Sequence, residues 1–107
     1  MISKELLSEI LDLDVLAICG EQGGELKYWF DESCGNQISR ESKINVDTLA
    51  RLCKEWCYDI GVANLTSWIG DNTKHAMFYD GFDEHSFEAD TEAEAIFKAT
   101  QWVKDNK

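Results

Sequence analysis

Apolar residues recur at helical spacing in three stretches of the chain and at strand spacing between them. After Ser3, the residues Leu6, Leu7, Ile10 and Leu11 predict a short helix with Ser3 as its cap. Residues 15–19 form a compact apolar run between Asp14 and Gly20, which reads as a buried strand with Cys19 as a small apolar member. Gly20-Glu21-Gln22-Gly23-Gly24 then makes a turn and residues 26–30 a second strand, so the two form a hairpin. Asp31 to Asn36 is a further turn, with Gly35 available for positive φ. Residues 37–44 are polar and weakly alternating, as in an edge strand.

The clearest helix lies in the middle. Leu49, Leu52, Cys53, Trp56 and Ile60 make one stripe, Asn45 or Asp47 can cap its start, and Gly61 supplies a left-handed stop. Trp56 sits at the centre of that stripe and is expected in the core. Residues 62–69 read as a strand, Gly70-Asp71-Asn72-Thr73 as a turn, and residues 75–79 as its hairpin partner. Phe87 falls in a short strand or extended segment. Thr91-Glu92-Ala93-Glu94 is a capping box that opens a last helix, with Ala93, Ile96, Phe97, Thr100 and Val103 on its apolar face.

The order is therefore about α-β-β-β-α-β-β-α, in one domain covering residues 1–107. Hairpins outnumber crossovers. The expected class is α+β, a mostly antiparallel sheet with helices packed on one face.

Composition adds that the chain can fold unaided. An apolar fraction of 44%, with four tryptophans, is enough for a core without a metal or disulfide staple. No run approaches the ~18 apolar residues that cross a bilayer. Met1-Ile2-Ser3-Lys4-Glu5 has neither the basic nor the apolar region of a secretory signal, so a cytoplasmic setting with reduced cysteines is expected. The net charge of −11 repels nucleic-acid phosphates and anionic membranes, which leaves a basic surface on a host protein or nucleoprotein complex as the natural partner.

Candidate chemistry narrows further. Cys53 and Cys57, one turn apart, have no second pair to complete a metal site and read as core thiols. Asp80-Gly81-Phe82-Asp83-Glu84-His85 fails as a calcium loop. Phe82 stands where an oxygen ligand is needed, and Thr91 where a bidentate glutamate would close the site. The segment reads instead as a solvated acidic loop. Cys34, in Ser33-Cys34-Gly35, is displayed in a turn, but it follows Asp31 and Glu32, the wrong surroundings for a thiolate. No nucleophile elbow or phosphate-binding glycine loop occurs, so neither an enzyme nor a cofactor is expected.

Two features point to binding. Trp29 lies within Tyr28-Trp29-Phe30, where strand alternation sends one face inward and the other out, making an exposed Trp29 a contact candidate. From His75 to Phe97 there is no Lys or Arg, while Asp80, Asp83, Glu84, Glu88 and Asp90 fall close together, followed by Glu92 and Glu94. That unevenness marks an acidic protein-binding surface, with solubility as the plainer explanation.

The segments Leu49-Ala50-Arg51-Leu52-Cys53-Lys54-Glu55-Trp56-Cys57 and Asp90-Thr91-Glu92-Ala93-Glu94-Ala95-Ile96-Phe97-Lys98-Ala99-Thr100-Gln101-Trp102-Val103 resemble parts of small acidic proteins encoded by bacteriophages and prophages. The resemblance covers about half the chain and rests on structural features, the cap, the stripe and the tryptophans. It implies a phage accessory protein, most concretely an anti-CRISPR inhibitor or DNA mimic. A structural or housekeeping phage domain, as a homodimer whose acidity serves solubility, is the alternative, followed by an enzyme built on scattered residues.

Overall fold

The structure, a computed structural model, describes residues 1–31, 39–62 and 64–107. Helix α1 (Lys4–Leu11) starts where the Ser3 hydroxyl accepts from the Leu6 amide at 3.1 Å, and it ends where Asp12 turns left-handed at φ 53°. Strands β1 (Asp14–Gln22) and β2 (Glu25–Asp31) are joined by Gly23-Gly24, with φ 62° and 80°. Positive φ at both positions defines the tight hairpin turn whose twist suits antiparallel strands, and only glycine adopts it freely. After β3 (Ser39–Asn45), the Asn45 side chain accepts from the Asp47 and Thr48 amides and opens α2 (Val46–Asp59). Then come β4 (Thr66–Ile69), β5 (Lys74–Asp80), β6 (Asp83–Ala89) and α3 (Glu92–Asn106). Thr91 caps α3 by accepting from the Glu94 amide.

The class is α+β and the pairing antiparallel throughout, in the order α-β-β-β-α-β-β-β-α. Two features of the strand layout differ from expectation. The strands form two three-stranded sheets, β1-β2-β3 and β4-β5-β6, separated in the chain by α2. The acidic segment is also no loop. The chain turns at Gly81-Phe82 alone, and Asp83, Glu84 and His85 already belong to β6, a strand of seven residues. Its period-two pattern is hard to see because the inward positions hold His85, Phe87 and Ala89 rather than large aliphatics.

One cluster of buried side chains draws on all three helices and both sheets. Leu6 and Leu7 of α1 join Val15, Leu26 and Tyr28 of the first sheet, and α3 joins Ala76 and Phe78 of the second. The run 15–19 is not a buried strand. Only Val15 is buried, whereas Leu16 and Cys19 are exposed. The register of β1 against β2 slips between Val15 and Ala17 and between Ile18 and Gly20, which leaves Leu16 and Cys19 as the extra residues of two bulges.

The stripe of α2 is also rotated from the expected one. Val46, Leu49, Ala50, Cys53 and Cys57 are buried, Trp56 is only partly so, and Ile60 is exposed. The reason is its neighbour. Helix α3 presents Ala93, Ala99 and Thr100, and Cys57 lies against Thr100, Sγ to Oγ1 3.8 Å. Close helix approach favours small residues at the seam, so Ala50 and the two cysteines face α3, and bulky Trp56 sits at the margin.

Candidate functional site

Strand alternation divides every residue of the second sheet between two faces. The inner face carries Ala76, Phe78, His85 and Phe87 against α3, with Phe78 5.4 Å and His85 4.1 Å, centroid to centroid, from Trp102. The opposite face is open. The register sets it out in three cross-strand rows: Trp68–His75–Glu88, Thr66–Met77–Ser86, and Tyr79–Glu84. Trp68 is 42% and Tyr79 48% exposed, which is high for aromatic side chains.

The first row is internally organised. The Trp68 and His75 rings stack 5.1 Å apart at 14°, the His75 Nε2 lies 3.1 Å from the Thr73 hydroxyl, and the Nδ1 lies 3.7 Å from the Glu88 carboxylate. The indole is thus held by its neighbours, and less side-chain entropy is lost when something docks on it. At the end of the sheet, the Gly81-Phe82 turn holds Gly81 at φ 66° and leaves Phe82 fully exposed.

The predicted acidic residues do not lie together on one surface. Glu84 and Glu88 share the open face, two alternations apart, or roughly 13 Å along the strand. Asp80 and Asp83 pair beside the turn, where Asp80 forms an ion pair with Lys107 at 2.7 Å. Asp90 lies past the far end of β6, next to the cap of α3. Trp29 points to the open side of the other sheet, 38% exposed, in a row with Ala17 and Glu41. Tertiary structure therefore splits the acidic and aromatic candidates across two sheets.

No protein-family model matches the chain, and no curated protein or solved structure does so either. The site must be read on its own chemistry.

Among the described residues, the two histidines and the buried thiols do not come together. His75 and His85 project from opposite faces of the second sheet. Cys34 lies outside the described residues. Burial pushes the Cys53 thiol up from 9.0 to about 12, only partly offset by the Thr100 hydroxyl, and burial raises Cys57 likewise. Thiols that resist ionisation are inert nucleophiles and poor metal ligands. Among the described residues, no three of His, Cys, Asp and Glu come together as a ligand set.

One polar triad does form. The Ser67 hydroxyl donates to the Glu92 carboxylate at 2.6 Å and accepts from the Lys54 ammonium at 2.8 Å. It joins α2, β4 and α3, and its Lys54 and Glu92 also line the adjacent groove with Asp47, Arg51 and Ile96. Its role is to fasten the second sheet to the helix pair.

Sequence reasoning missed Trp68, His75, Met77, Tyr79 and Phe82. The signal was present as period-two alternation: Thr66 and Trp68, then His75, Met77 and Tyr79, then Glu84, Ser86 and Glu88. It passes unnoticed when the acidic run is read as a loop.

Proposed function

We propose that this chain is a non-catalytic binding protein that presents the open face of β4-β5-β6 to a basic protein surface. The observation behind the reading is the face itself: Trp68, Met77 and Tyr79 lie among Glu84 and Glu88 on one solvent-facing sheet surface, and that surface holds no lysine or arginine. Aromatics and methionine are enriched at interface centres, and carboxylates around them steer a cationic partner. The −11 charge acts in the same direction at long range and disfavours direct contact with nucleic acid or anionic membrane.

An inhibitor seated on the basic groove of a host nucleoprotein complex, of the anti-CRISPR kind, is the concrete form this reading takes in a bacteriophage setting. The spacing of the carboxylates favours a protein-surface contact over DNA mimicry. Two glutamates roughly 13 Å apart, with only Ser86 between them on the same strand face, are a sparse imitation of a phosphate backbone.

The test compares the wild-type chain with Glu84→Lys/Glu88→Lys and with Trp68→Ala as baits in nuclease-treated bacterial lysate, at low and high salt. A basic partner retained by wild type and lost with both variants, and weakened by salt, supports the reading. A partner retained equally by all three baits refutes it and moves the contact to Trp29 or elsewhere.

A further inference from the structure

We propose that β3 is a self-association edge: two copies of the chain pair β3 against β3, antiparallel about a two-fold axis at Ser42, and join their first sheets into one six-stranded sheet. This edge belongs to the sheet that the proposed partner surface does not use, so self-association and partner binding are independent of each other.

Every open sheet has two edges, and unpaired main-chain groups there invite another strand unless something blocks them. Three of the four edges here are blocked. β1 carries its two bulges. β4 has only four residues. On β6, the Lys98 ammonium donates to the Glu88 carbonyl at 2.7 Å and occupies the acceptor that an added strand would need. Among the described residues, β3 has none of these devices. Its seven residues pair with β2 in unbroken register from Ser39↔Asp31 to Asn45↔Glu25. A flat, regular edge of this length can form roughly six main-chain hydrogen bonds with an antiparallel copy of itself.

Side chains select the register. Glu41 and Lys43 lie on the open face of the sheet, on either side of Ser42. Centring the two-fold on Ser42 sets Glu41 opposite the second copy's Lys43, and Lys43 opposite the second copy's Glu41. Small serines meet at the axis. Centring it on Glu41 or Lys43 would instead set like charges face to face. Only the Ser42 register pairs both charges of the open face while keeping the two core faces on the same side.

The isolated chain also shows what that register would relieve. Lys43 stands directly across from Lys27, a like-charge neighbour, and Lys27 already forms an ion pair with Glu41 at 3.2 Å. Among the described residues, Lys43 has no carboxylate partner. In the joined sheet the row runs Gly20–Lys27–Lys43, then Glu41 and Trp29 of the second copy, so Lys43 gains its counter-charge. β6 serves as the internal contrast. Paired with itself about Ser86, it would set Glu84 against Glu88 on both sides of the axis, and charge forbids what backbone geometry allows.

The experiment is sedimentation velocity on the full chain across concentrations up to about 1 mM, a range suited to a seam of this small area. The wild-type mass should rise with concentration toward twice 12.2 kDa. Glu41→Lys alone and Lys43→Glu alone should each weaken association at least about tenfold, since each sets like charges opposite one another. An equimolar mixture of the two variants should recover a species of two chains, because the two lysines on the open face of one β3 then stand opposite the two glutamates of the other. A wild type of single-chain mass throughout, a variant that associates as well as wild type, or a mixture that stays single-chain overturns the proposal. Amide exchange on the wild-type chain gives a second reading that needs no variant. Alternate β3 amides should become protected as concentration rises, and protection independent of concentration overturns the proposal equally.

Discussion

The two sheets of this protein share a strand number and a pairing mode, and they differ in how they distribute charge. On the open side of the first, Lys27, Lys43 and Glu41 mix both signs around Trp29. On the open side of the second, Glu84 and Glu88 stand without a lysine or arginine, in rows shared with Tyr79 and with His75 and Trp68. Mixed signs let a strand complement a copy of itself, whereas one sign repels a copy and attracts something basic. One small protein thus presents a surface suited to its own kind and another suited to a different partner.

The buried sides differ as well. α1 packs on β1 of the first sheet, where Leu6 and Leu7 share an aliphatic core with Val15 and Leu26. α3 covers the second through rings: Phe78 lies within 5.2 Å of His85 and 5.4 Å of Trp102, and Phe87 stacks at 6.1 Å. The second sheet is therefore expected to depend on one central side chain more than the first does. Phe78→Ala should cost about 3–5 kcal/mol in chemical denaturation, more than any other single change in either sheet. A loss under ~1 kcal/mol would show that the ring cluster is not the keystone of that sheet.

The helix pair joining the sheets can be probed by pH. Burial holds the Cys53 thiol at about 12 in the folded chain against 9.0 for an ordinary thiol, so the fold binds this proton more tightly than the unfolded chain does. The resulting stability is intact below pH 9 and is lost as pH rises toward 12. Between pH 9 and 10.5 the loss attributable to this thiol should be roughly 2 kcal/mol, and Cys53→Ala should flatten the profile. Identical slopes in the two proteins would mean that the thiol is hydrated in the fold.

Smaller effects separate the hairpins. Gly23→Ala, at φ 62° with open space around it, should cost about 1 kcal/mol through backbone strain alone and should loosen the first sheet only. A neutral result would mean that the turn shifts to another type. Glu84→Lys/Glu88→Lys should change stability by less than ~0.5 kcal/mol, because both side chains are exposed. A large change would mean that the open face serves folding rather than binding.

Much of this architecture is legible in the residues themselves. Ser3, Asn45 and Thr91 act as caps and Gly61 turns left-handed at φ 104°, because these signals operate over a few residues and need no distant neighbour. The α3 stripe is legible for a related reason. That helix is buried on two sides, so Ala93, Ile96, Phe97, Thr100 and Val103 lie inward whichever neighbour packs on them. The face of α2 is less so, since hydrophobicity favours Trp56 and only α3 brings Cys57 against Thr100.

By itself, then, the sequence determined the secondary-structure class, the helix caps, a glycine turn between the first two strands (which the structure narrows to Gly23-Gly24, the residues before it continuing β1) and the strong negative charge, all of which follow from local geometry or simple composition. Tertiary structure alone decided that the strands divide into two sheets, that Leu16 and Cys19 bulge outward, and that Glu84 and Glu88 stand apart from Asp80, Asp83 and Asp90. It also brought Trp68 and Tyr79 to one face and, among the described residues, left β3 as the one regular open edge. The physical reason is that pairing has a side-chain period of two. Once register is set, each neighbour along a strand goes to the opposite face, and a run of acids that looks continuous in sequence becomes two surfaces in space.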